Sequence, residues 1–201
     1  QMLKNMRIKT SLLLLLLVFT FMQFLSNGFE LVDLKGNQKS TLLLHNIVKE
    51  QDSLHNVVGA VYKVRSVLDN IQLQDMAATQ QTLRQVQDEI AYARKQFAIF
   101  WDIPGLTEDD PQIGKIVRTA FEQQMNAEQK YVDKLNEAIS DGSIVGTQTN
   151  ANTEVLALRK NFDKEIESYY KSTMLVGKNI VEQTYVQFNA SILKISLLLA
   201  V

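Results

Sequence analysis

Leu54-His-Asn-Val-Val-Gly-Ala-Val-Tyr-Lys-Val-Arg-Ser-Val-Leu-Asp-Asn-Ile71 is the stretch that decides the fold class. Its apolar residues Leu54, Val57, Val61, Val64, Leu68 and Ile71 recur at spacings of three and four, which puts them on one stripe of a helix packed in a bundle. A second segment repeats the pattern with Leu83, Val86, Ile90, Ala93, Phe97 and Phe100. The third carries Val117, Phe121, Met125, Val132, Leu135 and Ile139, with Glu128 at a place the stripe would fill with an apolar residue. A fourth runs through Leu158, Phe162, Tyr169, Thr173, Val176 and Ile180. No segment of the middle shows the every-second-residue alternation of a strand.

The breakers fall between these segments. Pro104 and Pro111, the two prolines of the chain, stand close together beside Gly105 and mark a loop. Asp141-Gly142 and Gly146 supply turn chemistry before the polar stretch Thr147 to Thr153. The expected fold is therefore all-α, an up-down-up-down four-helix bundle.

Two apolar runs flank that bundle. Thr10 to Phe29 is uncharged and matches the roughly 20 residues that a helix needs to span a bilayer. Lys4, Arg7 and Lys9 precede it and Glu30 and Asp33 follow, so the positive bias puts the N-terminus in the cytoplasm and the middle outside. A cleaved secretory signal is the alternative, since Ser26-Asn27-Gly28 offers small residues near a cleavage site; either reading exports the middle. The second run, Ile192 to Val201, holds Lys194, whose stem can lie on apolar surface while its ammonium reaches the interface. The expected organisation is a cytoplasmic leader 1–9, a transmembrane helix 10–29, an exported bundle 30–190, and the start of a second span at 191–201. A loop that leaves and re-enters one membrane face needs an even number of long antiparallel helices, and four satisfy it. No proline separates the first and fourth helices from the runs, so each is expected to continue into a membrane helix. Counting helix rise from Glu30 and from Ser191 sets Arg65 level with Leu156, about 50 Å from the membrane.

Composition excludes several functions. The absence of Cys removes a disulfide framework and Cys-based metal sites, and a net charge of -1 gives no basic surplus for nucleic acid. His45 and His55 are ten residues apart without an acidic cluster, which makes them solvated helix residues rather than metal ligands. Tyr169-Tyr170 and the Phe97 to Trp101 aromatics, at helical spacing, are expected in the core or anchoring a loop. Glu108-Asp109-Asp110 reads as a turn with a helix-starting carboxylate. Asn189-Ala190-Ser191, a glycosylation triplet beside the membrane, carries no functional weight. No nucleophile with a base, phosphate loop or paired-His motif is found, so neither an enzyme nor a cofactor is expected.

The leader Met2-Leu-Lys-Asn-Met-Arg-Ile-Lys-Thr-Ser-Leu-Leu-Leu, then Val18-Phe19, Gln23-Phe24-Leu25-Ser26 and Gly28, resembles the opening of enterobacterial methyl-accepting chemotaxis proteins of the serine and aspartate receptor type. Gln38-Lys39, Gln51-Asp-Ser-Leu54 and Val64-Arg65 to Leu68 continue the likeness in register, and beyond them it rests on helix order and loop placement. The resemblance implies a homodimeric periplasmic bundle in the inner membrane, with ligand held between subunits near the membrane-distal end. It further implies a small slide of the fourth helix as output, acting on a cytoplasmic kinase and adaptor through a cytoplasmic part past Val201. The first-helix arginine of that family falls on Arg65; the two further basic positions of the aspartate type fall on Asn70 and Gln74; a preceding polar position falls on Asp69, and a helix-four threonine on Thr149 or Thr153.

The departures bear on the ligand. Asn and Gln offer neutral amides where guanidinium would clamp a carboxylate with paired charge-assisted bonds, which disfavours a dicarboxylate such as aspartate. Asp69 beside Arg65 would suit a zwitterion; alternatively the two, four apart on one helix, form a surface ion pair. A periplasmic binding protein is the other partner considered. The alternative functions are the input domain of a membrane histidine kinase or cyclase, and a membrane-anchored interaction protein without a small ligand.

Overall fold

A computed structural model of the chain describes residues 38–71, 76–105, 111–142 and 147–199, with backbone alone for 147–152, 198 and 199. The described residues hold four helices: α1 at 38–69, α2 at Met76–Trp101, α3 at Pro111–Asp141 and α4 at Thr147–Leu199. They form an all-α four-helix bundle, as the spacing of apolar residues predicts. The described residues fall into two units, Leu43–Asn179 on the one hand and 38–42 with 180–199 on the other. The bundle core lies in the first.

Every stripe residue of the first three segments faces that core. Leu54, Val57, Val61, Val64, Leu83, Val86, Ala93, Phe100, Phe121, Met125 and Val132 are fully buried, and Ile71 packs against the core part-exposed. Burying each large aliphatic or aromatic side chain contributes about 1.5–3 kcal/mol, which is what holds four otherwise marginal helices together. Aromatic rings fill the middle: Phe97 stacks on Phe121 at 4.2 Å, Phe121 lies 6.4 Å from Phe162, and Phe100 meets Tyr169 edge-on at 5.9 Å. On α4 the buried residues are Val155, Arg159, Phe162, Ile166, Tyr169 and Thr173, while Leu158, Val176 and Ile180 are only part-buried.

Helix ends follow local chemistry. Pro111 begins α3, where its missing N–H costs no hydrogen bond. Beyond Asp141, Gly142 adopts φ 70° and donates its N–H to Ile139 O at 3.3 Å, the left-handed cap that glycine alone takes without strain. The α2 end is closed by Asp102 N–H to Ala98 O at 3.1 Å and Ile103 N–H to Phe100 O at 3.2 Å. Gly105 is buried against the carboxylate of fully buried Glu50, with no room for a Cβ.

The α1–α4 register differs from the count of helix rise. Gln51 Nε2 donates to Thr173 Oγ1 at 2.8 Å, and Arg65 pairs with Asp163, so Arg65 stands level with Asp163 rather than Leu156. That is seven residues, about 10 Å of rise. Counting assumes that two chosen boundaries stand at one height; side-chain pairing measures the register directly. Thr10 to Phe29 and Glu108-Asp109-Asp110 lie outside the described residues. Among the described residues no helix is long and apolar enough to cross a membrane, and Ile192 to Leu197 form exposed turns of α4.

Candidate functional site

The half of the bundle near the α1 C-terminus and α4 N-terminus carries two opposed charge pairs. On α1, Arg65 and Asp69 are one turn apart; on α4, Arg159 and Asp163 are one turn apart with the opposite order along the antiparallel pair. Arg65 Nη1 donates to Asp163 Oδ2 at 3.0 Å and its Nη2 lies 2.9 Å from Oδ1, a two-pronged fork. Arg159 Nη1 donates to both oxygens of Asp69 at 2.8 Å. Arg65 and Asp69 thus do not pair with each other, because each finds its opposite charge across the α1–α4 seam.

Two residues of α3 reach into the same seam. Gln124 Oε1 accepts from Arg65 Nη2 at 3.0 Å, and Glu128 accepts from Arg159 Nε at 2.7 Å and Nη2 at 3.2 Å. Both Gln124 and Glu128 are fully buried. Glu128 therefore interrupts the α3 stripe because it neutralises a buried guanidinium, and removing Arg159 would leave an uncompensated carboxylate inside the bundle. Burial alone would draw the Arg159 pKa down, but hydrogen bonding and charge from Glu128, then from Asp69, leave it raised. The nearby Tyr131 phenol is pushed up by burial and next by the Asp69 charge.

The Arg65 guanidinium is held on several sides. Besides Gln124 it donates from Nη2 to the Arg159 carbonyl at 3.2 Å, lies 4.8 Å from the Tyr62 ring centroid and 5.7 Å from that of Phe162, and leaves its side chain 12% exposed. Among the described residues its buried Nε meets no acceptor. Asp163 is 42% exposed, and it also accepts at Oδ1 from Tyr62 Oη at 3.4 Å.

Of the residues chosen from sequence, Arg65 and Asp69 fall in this cluster. Asn70 is exposed beside them and donates Nδ2 to Ser66 O at 2.7 Å, which turns its amide along its own helix. Thr153 is exposed on α4, six residues before Arg159, or about 9 Å of rise. Thr149 lies in the first turn of α4, and Gln74 lies outside the described residues. Sequence reasoning missed Arg159, Asp163 and Gln124. The signal for Arg159 was present, since a carboxylate on the α3 stripe demands a cation from a neighbouring helix. His45 and His55 are exposed, and the Phe97, Phe100 and Tyr169 rings are core.

The described helices make a four-helix bundle whose first and fourth helices are joined by a seam of paired charges. The chain matches the family described as Tar ligand binding domain homologue over residues 2–170, and it belongs to that family. This makes it the periplasmic sensor domain of a chemotaxis receptor of the Tar/Tsr type, a family of sensors and not of enzymes. No individual curated protein matches it.

Proposed function

We propose that the chain senses a small ligand bearing one carboxylate, an amino acid or monocarboxylic acid, at Arg65. The observation that carries this is the preset guanidinium. Gln124, the Arg159 carbonyl and two aromatic rings fix Arg65 near the solvent boundary, and its fork already holds one carboxylate, that of Asp163, so a ligand carboxylate taking that place would bear no entropic cost of ordering the guanidinium. Asn70 and Gln74 in place of cations disfavour a second carboxylate. Asp69, 55% exposed and held through one nitrogen of Arg159, keeps lone pairs for a ligand ammonium. Thr149 and Thr153 are assigned to the α4 side of the same pocket.

In this reading two chains pair through the exposed side of α1 and the ligand lies between them. Residues 10–29 and 191–201 anchor the exported part, 30–190, in the inner membrane, with 1–9 in the cytoplasm. Ligand shifts the balance between two packings only as far as its affinities for them differ. The output is a small slide of α4 into the second span, read by a cytoplasmic kinase and adaptor. A binding protein presenting the ligand is the outcome to which a failed direct titration would point.

The test is calorimetric titration of the full chain in detergent with a panel of amino acids and small organic acids, repeated on Arg65→Ala. At least one monocarboxylate should bind the wild type and lose binding in the variant. Binding that survives Arg65→Ala unchanged removes Arg65 from the pocket.

A further inference from the structure

We propose that Asp163 is a built-in occupant of the ligand carboxylate position, so that a ligand binds Arg65 by displacing a side chain of the helix that carries the signal. The inference rests on the assignment of Arg65 to the ligand pocket. It adds a residue that selects against weak or misplaced anions and couples occupancy to α4.

Geometry makes Asp163 the replaceable member of the cluster. Its two oxygens sit on Arg65 at 3.0 and 2.9 Å, the side-by-side arrangement that a free carboxylate would adopt. Unlike Glu128, which is fully buried, Asp163 is 42% exposed, so its carboxylate can swing into water without an unpaired charge staying in the core. Its further bond among the described residues, from Tyr62 Oη, is long at 3.4 Å. Arg65 does not depend on it for position, because Gln124 Oε1, the Arg159 carbonyl and the Tyr62 and Phe162 rings all hold the guanidinium from other directions.

The second pair behaves differently. Arg159 is tied to Glu128 at 2.7 Å and to Asp69 at 2.8 Å, on α3 and α1 respectively. Displacement of Asp163 therefore releases the Arg65 tie between α1 and α4 and leaves the Arg159–Asp69 tie in place. Charge also filters the ligand. Any carboxylate entering must outcompete an intramolecular one, which lowers apparent affinity by the fraction of time the fork is free. A ligand with further contacts, such as an ammonium facing Asp69, overcomes this where a bare anion does not.

The test is calorimetry on the full chain with acetate, glycine and succinate as probes, comparing wild type, Asp163→Asn, Arg65→Ala and Asp163→Asn with Arg65→Ala. Asp163→Asn keeps the shape and a hydrogen-bonding side chain while removing the charge; helical circular dichroism checks folding, and Asp163→Ser replaces it if that signal is lost. The expected result is that Asp163→Asn binds acetate or glycine about three- to tenfold more tightly than wild type, or binds one that wild type does not, the size expected for freeing a half-exposed ion pair. The double variant should lose that binding. Equal affinity in wild type and Asp163→Asn, with binding lost in Arg65→Ala, overturns displacement and leaves the Arg65 pocket standing. Binding that persists in the double variant overturns the Arg65 assignment itself. No binding of any probe to Asp163→Asn also overturns the proposal, since a freed fork must then take a carboxylate.

Discussion

Replacing Arg159 with leucine should destabilise the bundle strongly at neutral pH and much less in mild acid. Glu128, which has no exposed surface, relies on Arg159 Nε at 2.7 Å and Nη2 at 3.2 Å, and leucine supplies no charge in their place. A buried carboxylate without a partner must take up a proton to remain inside. For a carboxyl of ordinary pKa about 4.3, proton uptake costs about 1.4 kcal/mol per pH unit, about 3.7 kcal/mol at pH 7 and about 1 kcal/mol at pH 5. The neutral estimate agrees with the about 3–5 kcal/mol known for breaking buried pairs. The sign follows from proton release: the variant folds with the carboxyl protonated and unfolds with it ionised, so its stability is lost as the pH rises. Urea unfolding followed by helical circular dichroism at both pH values, in wild type and variant, measures this. Glu128→Leu with Arg159→Met should recover most of the loss, because an apolar pair of similar size needs no charge partner. A penalty below about 1 kcal/mol at pH 7, or one that does not shrink at pH 5, would refute the claim that Glu128 is buried and dependent on Arg159.

Further outcomes are expected elsewhere in the bundle. Gly105→Ala should cost about 1–3 kcal/mol in the same urea assay, since a Cβ there would fall against Glu50 Oε2 and lie 2.9 Å from Glu50 Cδ. Gly59→Ala, in mid-helix where an added Cβ would meet no described atom within 4 Å beyond its chain neighbours and its own helix backbone, should instead stabilise an isolated subunit by about 0.5–1 kcal/mol. Burial holds the phenols of Tyr131, Tyr169 and Tyr170 protonated past the ordinary tyrosine range, with the charges of Asp69 and Glu50 adding to the first two. Their raised folded pKa values mean a stability contribution present below about pH 10 and lost as the pH climbs above it. Ultraviolet titration should therefore show Tyr169 ionising only as the helices unfold, and Tyr131 and Tyr170 ionising above the ordinary tyrosine range.

The fold was legible because bundle helices write their core as a stripe. Every stripe residue named in Leu54 to Ile71, Leu83 to Phe100 and Val117 to Ile139 lies on the core side, since spacings of three and four follow from helical geometry alone, while buried neighbours such as Ala60, Ala120 and Tyr131 fall beside the stripe. The fourth segment was read less well, and the reason is chemical. Arg159 occupies a core place between Val155 and Phe162, and a hydrophobic pattern passes over a guanidinium. Glu128 was visible as a misfit, yet only three-dimensional pairing shows that the misfits of α3 and α4 answer one another. Arg65 and Asp69 came from resemblance, while their partners Asp163 and Arg159 stand 98 and 90 residues away in sequence, a distance that local spacing does not span. The register of α1 against α4 was beyond sequence for the same reason.

The central claim is that ligand meets this sensor at the Arg65 rung of the α1–α4 seam. Hydrogen exchange on the full chain, with and without a saturating probe found by the calorimetric panel, tests it most directly. Protection should change only in the α1 and α4 turns around Arg65, Asp69, Arg159 and Asp163, with α2 around Ile90 unchanged. Protection that changes along α2 and leaves the Arg65 and Asp163 turns untouched would contradict it.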